Sequence, residues 1–342
     1  MCPPVAAVAA RGTPVTLDNV AGEKRLHVVT GKGGTGKSTV AAALALGLAR
    51  TGRRVLLCEV EGRQGIAQLF DVPPLPYEER QVAVSDDGAV YALAIDAESA
   101  LLEYLAMFYR LGRAGRALDR FGVIDFATTI APGVRDVLLT GKVYEAVRRR
   151  EDDGSYTYDA VILDAPPTGR ITRFLNVNSE VAGLAKVGPV KRQADSIMTM
   201  MRSRRTAVHL VTLLEEMPVQ ETMDAINELT DVGLGIGHVL VNQVLPSPLD
   251  DDAAERVANG SLSAAAVARS LRRADLEVDT GAGAALLEEG RQHVGRQRLQ
   301  AHQRAVLTEA GAPVVELPHL EDGIDLAGLY ELGELLVDGG LR

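Results

Sequence analysis

The stretch Leu26-His27-Val28-Val29-Thr30-Gly31-Lys32-Gly33-Gly34-Thr35-Gly36-Lys37-Ser38 reads as an apolar, β-branched strand that runs into a glycine-rich turn. The next twelve residues, TVAAALALGLAR, read as a helix. The whole fits G-x-x-x-x-G-K-[ST] in strand–loop–helix order, the pattern of a phosphate-binding loop. Glycines let successive backbone N–H groups converge on phosphate oxygens, and the helix N-terminus adds the positive end of a dipole. Lys37 has the reach for β- and γ-phosphates, and Ser38 offers a hydroxyl to Mg2+. Gly31, Gly33, Gly34, Thr35, Gly36, Lys37, Ser38 and Thr39 are therefore candidate ATP-binding residues, with Ser38 also a metal ligand.

Outward from this loop, short β-rich runs alternate with helical ones: Leu26–Thr30, Val55–Val60, Val90–Ile95, Ala160–Leu163, Ala207–Leu213, His238–Val241 and Pro313–Leu317. Strands separated by helices imply right-handed crossovers and a mostly parallel sheet, with ligands at the carboxyl ends of the strands. The expected fold is α/β, a three-layer P-loop NTPase with a mostly parallel central sheet and a helical insert subdomain. Residues 1–22 have no helical period and read as a flexible tail without the marks of a signal peptide. Residues 23–342 read as one ATPase domain, with helical inserts at about 97–150 and 176–205. Residues 248–310 read as surface helices and loops.

Composition removes several classes. Of 342 residues, 46% are hydrophobic and 24% charged, which describes a globular chain. A net charge of −10 argues against gripping nucleic acid or anionic lipid through a basic surface. The longest apolar run, Val40 to Ala49, is half the length of a membrane span, so insertion into a bilayer is not expected. The two cysteines, Cys2 and Cys58, suit a cytoplasmic protein and are too few for a disulfide framework or a four-cysteine zinc site. Lysine occurs at only six positions, two of them Lys32 and Lys37.

Lys32 is not needed for a basic phosphate loop. K-G-G-x-G-K-[ST] resembles the deviant Walker A ATPases: ParA and MinD, nitrogenase iron proteins, and the ArsA/GET ATPases. In that group the extra lysine reaches across a dimer interface to the partner's nucleotide, which implies a catalytic role in trans for Lys32. Val55–Phe70 (VLLCEVEGRQGIAQLF) resembles the ArsA/GET switch I, V-L-hh-S-T-D-P-A-H-N-h-S-D-A-F, where h is apolar. Glu61 falls on the catalytic aspartate, and Gly62, Arg63 and Gln64 replace Pro-Ala-His. A glutamate still holds water but is one methylene longer, and a misplacement of about 1 Å can cost roughly a hundredfold in rate. The resemblance thus implies an ATPase whose own turnover is weak.

Tyr158–Leu175 (YDAVILDAPPTGRITRFL) resembles a Walker B strand followed by the family's switch II, T-A-P-T-G-H-T-h-R. Asp164 takes the Walker B place and implies support for Mg2+. Pro167, Thr168, Gly169 and Arg173 match switch II, and Arg170 stands where the family has histidine. Val211–Thr222 resembles V-T-h-P-E…E-T, with Leu214 in place of proline. Asn242-Gln243, in VNQVLP, resembles the strand end that contacts adenine, and Pro318 lies where the family closes that pocket. The chain is identified as a member of the ArsA/GET-like ATPases, over about residues 25 to 335, and resembles their single-domain actinobacterial branch.

The relatives differ in what they need. Nitrogenase iron protein needs cysteine pairs and MinD a basic terminal helix, and this sequence has neither pattern; ParA needs basic DNA contacts, which a net charge of −10 disfavours while leaving a local patch open. Arsenite binding needs thiolates and the eukaryotic GET ATPase a C-x-x-C zinc clasp; neither is expected here. A single P-loop implies a second subunit, either another copy or a paralogous ArsA/GET-like ATPase with the usual aspartate. The expected function is a Mg2+-dependent, nucleotide-switched dimer in membrane-protein targeting or transport coupling, with a membrane-protein client as a candidate. It would be cytoplasmic and would reach a membrane only through a partner. The alternative is a weakly hydrolytic scaffold paired with a paralogue.

Leu101, Leu102, Leu105, Phe108 and Tyr109 form an apolar stripe, and Val190, Ala194, Ile197, Met198 and Met201 a second. Core packing and a client groove are the two readings of both stripes. Arg202, Arg204 and Arg205 read as a solvated helix end, with a partner or an anion as the other reading.

Overall fold

Each of the seven apolar runs becomes a strand in the computed structural model, which describes residues 24–60, 62, 64–85, 88–109, 132–176, 189–276, 279 and 281–342. In chain order the strands are β1 (Leu26–Gly31), β2 (Arg54–Glu59), β3 (Arg80–Val84), β4 (Ala89–Ala94), β5 (Ala160–Asp164), β6 (Thr206–Thr212), β7 (Ile236–Val244) and β8 (Val314–Pro318). They form one sheet in the order β3-β4-β2-β5-β1-β6-β7-β8. Every pairing is parallel except β3 with β4. β3, RQVAV, has no apolar run to announce it, because it is a partly exposed edge strand held by its neighbour. The central strands are buried on both faces, so their sequences are near-continuous apolar runs.

Eleven helices are seen among the described residues: α1 (Lys37–Arg50), α2 (Gly65–Leu69), α3 (Ala97–Tyr109), α4 (Pro132–Arg148), α5 (Thr168–Leu175), α6 (Pro189–Met201), α7 (Glu216–Asp231), α8 (Asp251–Ala258), α9 (Ala264–Arg273), α10 (Ala282–Thr308) and α11 (Leu326–Asp338). Two hydrophobic clusters, one on each face of the sheet, make the third and first layers. One joins β1 through Val29, β2 and β5 to α1, α2 and α11. The other joins the opposite faces of these strands to α4, α5, α6 and α7. None of the described helices is long and apolar enough to cross a membrane.

Within α1, every residue from Val40 to Ala49 is buried, as expected of a helix that is apolar all round. It is covered by the sheet on one side and α11 on the other, at a backbone-to-backbone contact. A Cβ on Gly47 would lie 2.3 Å from the Gly333 carbonyl oxygen, and one on Gly333 2.5 Å from that of Ala43. Gly47→Val is therefore expected to cost about 1–3 kcal/mol of stability. A urea midpoint that falls at unchanged slope would check this.

The second insert resolves in favour of packing. Ala194, Ile197, Met198 and Met201 of α6 are buried in the same cluster as α4 and the strands. In the first stripe Leu101 is buried and Leu102 exposed, while the side chains of Leu105, Phe108, Tyr109 and Val190 lie outside the described ones. Cys58 is buried within β2, and burial pushes its thiol well above the usual range.

Candidate functional site

β1 delivers the chain to the centre of the sheet's carboxyl edge, where it turns at Gly31. A Cβ there would sit 2.1 Å from the Val211 carbonyl oxygen of β6, so only glycine fits. Gly33 and Gly34 face open space, with nothing within 4 Å of a Cβ at either. Thr35 is buried; its N–H and Oγ1 both donate to the Lys32 carbonyl, at 3.4 and 2.9 Å, and fix the turn. Lys37 Nζ lies back over the loop, 3.4 Å from the same carbonyl oxygen. The result is a cradle of backbone N–H groups at the start of a fourteen-residue helix, with a lysine across its mouth. Thr39 continues the first turn of α1.

Ser38 Oγ donates to Asp164 Oδ2 at 2.5 Å, so the two predicted metal residues meet. Two hard oxygen donors beside a phosphate cradle are the ligand set that suits Mg2+, which keeps several of its waters. Sequence reasoning missed a further carboxylate here. Glu59, at the end of β2, is in register with Asp164 of β5 and is only 3% exposed. It accepts from the N–H groups of Gly65 at 3.3 Å and Ile66 at 3.5 Å, at the start of α2. A Cβ on Gly65 would be 3.8 Å from Ser38 Oγ. Glu59 thus fixes the start of α2 beside the Ser38–Asp164 pair. Its position two residues before Glu61 hid it, because the motif drew attention to Glu61. Glu59→Gln is expected to lower turnover by about tenfold by loosening this turn, with nucleotide affinity little changed. Steady-state kinetics would check it.

Glu61 and Arg63 lie outside the described residues. Gln64 is described and is held away from the loop: its Nε2 donates to the Leu75 carbonyl at 3.2 Å, and its Oε1 accepts from the Leu75 N–H at 2.7 Å.

The segment that resembles switch II begins at Ala165 and leads into α5. The Pro166 carbonyl accepts from Thr30 Oγ1 at 2.6 Å, tying it to β1. Pro167 caps α5 in extended conformation, Thr168 is buried, and Gly169, Arg170 and Arg173 are exposed. A cleft of about 120 Å³ separates Pro166 and Arg170 from Arg135 and Asp136 of α4 and Val60 after β2.

The structure also joins two residues that the motifs left apart. Lys32 Nζ forms an ion pair with Glu221 of α7. The other oxygen of Glu221 accepts from Thr168 Oγ1 at 3.2 Å. One carboxylate therefore holds both the extra lysine and the first residue of α5. Glu221 stood in the sequence as the glutamate of an E-T pair with no assigned role.

At the other side of the loop, Asn242 is buried and its Nδ2 donates to the Thr35 carbonyl at 2.9 Å. It also excludes a side chain at Gly36, where a Cβ would be 2.3 Å from Nδ2. Asn242 therefore braces the phosphate loop. Gln243 is exposed and adopts φ +56°, and β7 here runs beside the end of β8, with Val244 in register with Pro318. The three residues expected around an adenine thus share one corner of the carboxyl edge.

The profile of a family described as anion-transporting ATPase matches residues 24–204 and 180–261. ATPase BagA of Mycobacterium tuberculosis (strain ATCC 25618 / H37Rv) is 53% identical over 332 residues, which is 97% of this chain and 96% of that protein. ATPase GET3 of Malassezia globosa is 27% identical over 271 residues, 69% of this chain and 78% of that protein. The arsenical pump-driving ATPase of Escherichia coli is 27% identical over 239 residues, and the match spans 64% of this chain and 39% of that protein.

Proposed function

As the chain belongs to the anion-transporting ATPase family of the ArsA/GET type and is an ATPase, we propose that it works as a Mg2+-dependent, nucleotide-switched dimer. The observation that carries this reading is Glu221, which ties Lys32 to Thr168 within one chain. A lysine kept on a carboxylate beside the loop is not spent on its own phosphates. It is available to a second subunit's nucleotide once that pair opens. Lys37 and the loop N–H groups hold the phosphates, Ser38 and Asp164 hold Mg2+, and the metal supplies charge neutralisation between β- and γ-phosphates. Movement of Lys32 releases Glu221, and with it Thr168, so that switch II senses assembly.

The coupling runs onward through α4. Its first turns face Pro166 and Arg170, and its length of 17 residues, about 25 Å, carries a shift into the helical insert. This connection supports a targeting or transport-coupling role, in which nucleotide state reshapes the insert for a client. Glu221→Ala is expected to tighten ATP-dependent dimerisation by up to about fivefold per subunit, because a partly exposed ion pair contributes at most about 1 kcal/mol. Analytical ultracentrifugation in ATP and ADP measures it, and weaker assembly would overturn the latch.

Gln64 favours a second reading, a weakly hydrolytic scaffold paired with a paralogue. Its two hydrogen bonds to Leu75 hold switch I by the protein's own contacts rather than by nucleotide. Turnover of the purified chain, alone and with a paralogue, separates the two, with Glu61→Ala as the control on the water-holding role. Robust homodimerisation and turnover alone would remove the scaffold.

A further inference from the structure

The stretch Val72-Pro73-Pro74-Leu75-Pro76-Tyr77-Glu78-Glu79 joins α2 to β3 and contains no helix or strand. Pro73, Pro74 and Pro76 fix their φ angles at about −65°, which makes it a stiff strap. Leu75 is buried in the cluster on the α1 face of the sheet, and Tyr77 packs against the cluster on the α4 face. The strap therefore crosses from one layer to the other, and it is held at both ends. On the α1 side, both polar groups of the Gln64 side chain bond to the Leu75 backbone, at 3.2 and 2.7 Å. On the other side, Glu79 accepts from Arg149 at 2.9 and 2.5 Å and from Tyr158 Oη at 2.6 Å. Tyr77 Oη donates to Glu103 of α3 at 2.7 Å. The helix α4 closes the network. Lys142, Glu145 and Arg149 follow one stripe at i, i+3 and i+7. Lys142 Nζ lies 2.8 Å from Glu103 and 3.6 Å from Glu145, and Arg149 Nε donates to Glu145 at 2.8 Å. The side chains of Lys142 and Glu79 are only 15% and 21% exposed, so these bonds are stronger than those of open surface pairs. Burial pushes the Glu79 carboxyl up, yet the hydrogen bonds from Arg149 and Tyr158 hold it below the usual range.

What the strap holds is strained. Gln64 caps α2 at φ +57° and ψ +26°, a left-handed conformation that costs a non-glycine residue about 1–2 kcal/mol. Its two bonds to Leu75 offset that cost. The next two N–H groups, of Gly65 and Ile66, are those that Glu59 accepts beside the Ser38–Asp164 pair. A retreat of Leu75 removes both partners of Gln64 and lets the start of α2 relax away from Ser38 and Asp164.

We propose that Arg149 is a positioning residue for ATP turnover, acting through Glu79, Leu75 and Gln64 on the segment that resembles switch I. This role rests on the reading of the chain as a nucleotide-switched ATPase, and it adds a second route to the one through Pro166 and Arg170. The two ends of α4 then serve the two switch-like segments. Its first turns face Pro166 and Arg170, and Arg149, just past its last turn, holds the strap. Tyr77 and Glu103 tie α3 to the same strap. A displacement of either helix therefore pulls on Gln64, and the helical insert regulates ATP cleavage from a distance. The network borders a cavity of about 500 Å³ between α3, α4 and α6, which is room for these helices to shift.

The test is a double-mutant cycle on the full chain, Gln64→Ala and Arg149→Ala, singly and together, read by steady-state ATP turnover and by amide hydrogen exchange. Each single variant is expected to lower kcat by about tenfold, less than the roughly hundredfold that a misplacement of about 1 Å can cost. KM is expected to change by less than about twofold, because the phosphate loop is untouched. The double variant is expected to match Gln64→Ala, since Arg149 has nothing left to act through. Without nucleotide, where no dimer is required, Arg149→Ala is expected to speed exchange of the Leu75, Gly65 and Ile66 amides by about tenfold. Failure of nucleotide-switched assembly leaves that readout intact. Arg149→Lys keeps the charge without the fork, and is expected to show the same pattern at smaller size even where Arg149→Ala folds poorly. Arg304→Ala breaks another arginine–glutamate pair, with Glu316, and is expected to change neither readout. Losses that multiply in the double variant would overturn the role. So would Leu75, Gly65 and Ile66 amides that exchange at the unaltered rate, or an Arg304→Ala variant as slow as Arg149→Ala.

Discussion

Lys32→Ala is expected to lower ATP turnover by about a thousandfold or more, the range found when a cation supplied in trans to a phosphoryl-transfer site is removed. ATP affinity of the single chain is expected to change much less. Lys37 and the loop N–H groups are untouched, and the Lys32 ammonium sits on Glu221 instead of over its own cradle. Stability is also expected to hold, because an ion pair whose side chains are 30% and 36% exposed contributes little. The defect should therefore appear in kcat with little change in KM. Lys32→Arg keeps the charge but substitutes a planar fork for a point charge, so it should recover only part of the rate. Mixing Lys32→Ala with a subunit that lacks only its own site would complement if the lysine acts across the interface. Undiminished turnover in Lys32→Ala would remove the trans role altogether.

Lys37→Ala is expected to act earlier, on binding itself. Its ammonium is the charge placed over the cradle built by Gly31, Gly33, Gly34 and Gly36. A loss of about a hundredfold to a thousandfold in turnover is expected, with a clear fall in affinity for a fluorescent ATP analogue. ATP-dependent dimerisation should disappear with it. Removing Mg2+ with a chelator should abolish turnover of the intact chain as well, since Ser38 and Asp164 are left with no ion to place. Turnover that survives Lys37→Ala would mean that a contaminant, not this loop, is being measured.

The parts of the site that the sequence disclosed are local ones. Gly31 to Ser38 form a single continuous loop whose chemistry is set by neighbours along the chain, so the residue order was enough. Asp164 and Pro167-Thr168-Gly169 were legible only through their resemblance to the family's Walker B and switch II, itself a continuous run of residues. Contacts between distant segments were not. Glu221 lies 189 residues from Lys32, and nothing in the order of residues says that α7 brings it to the loop. Glu59 was hidden because its role depends on β2 lying beside β5, a sheet neighbour that chain order does not specify. Asn242 was legible as a site residue, but its brace on Thr35 depends on β7 reaching across from β6.

The methionines of α6 show the same division. Their spacing permits a client groove or a core, and burial of Met198 and Met201 against α4 and the sheet chose the core. In the sequence the arginines after α6 were a solvated helix end with an anion as a second reading. Arg202 and Arg204 are exposed and line, with His27, His209 and His238, a cavity at the amino-terminal edge of the sheet.

The sequence by itself determined the α/β class, seven of the eight strands and the phosphate-loop pattern, because apolar runs and glycines act over a few residues. Tertiary structure alone decided which carboxylates stand beside that loop, where Lys32 rests, and how three histidines meet at the far edge. The physical reason is the strand order. A parallel sheet brings together residues far apart in the chain, and their charges and hydrogen bonds exist only once those strands are neighbours.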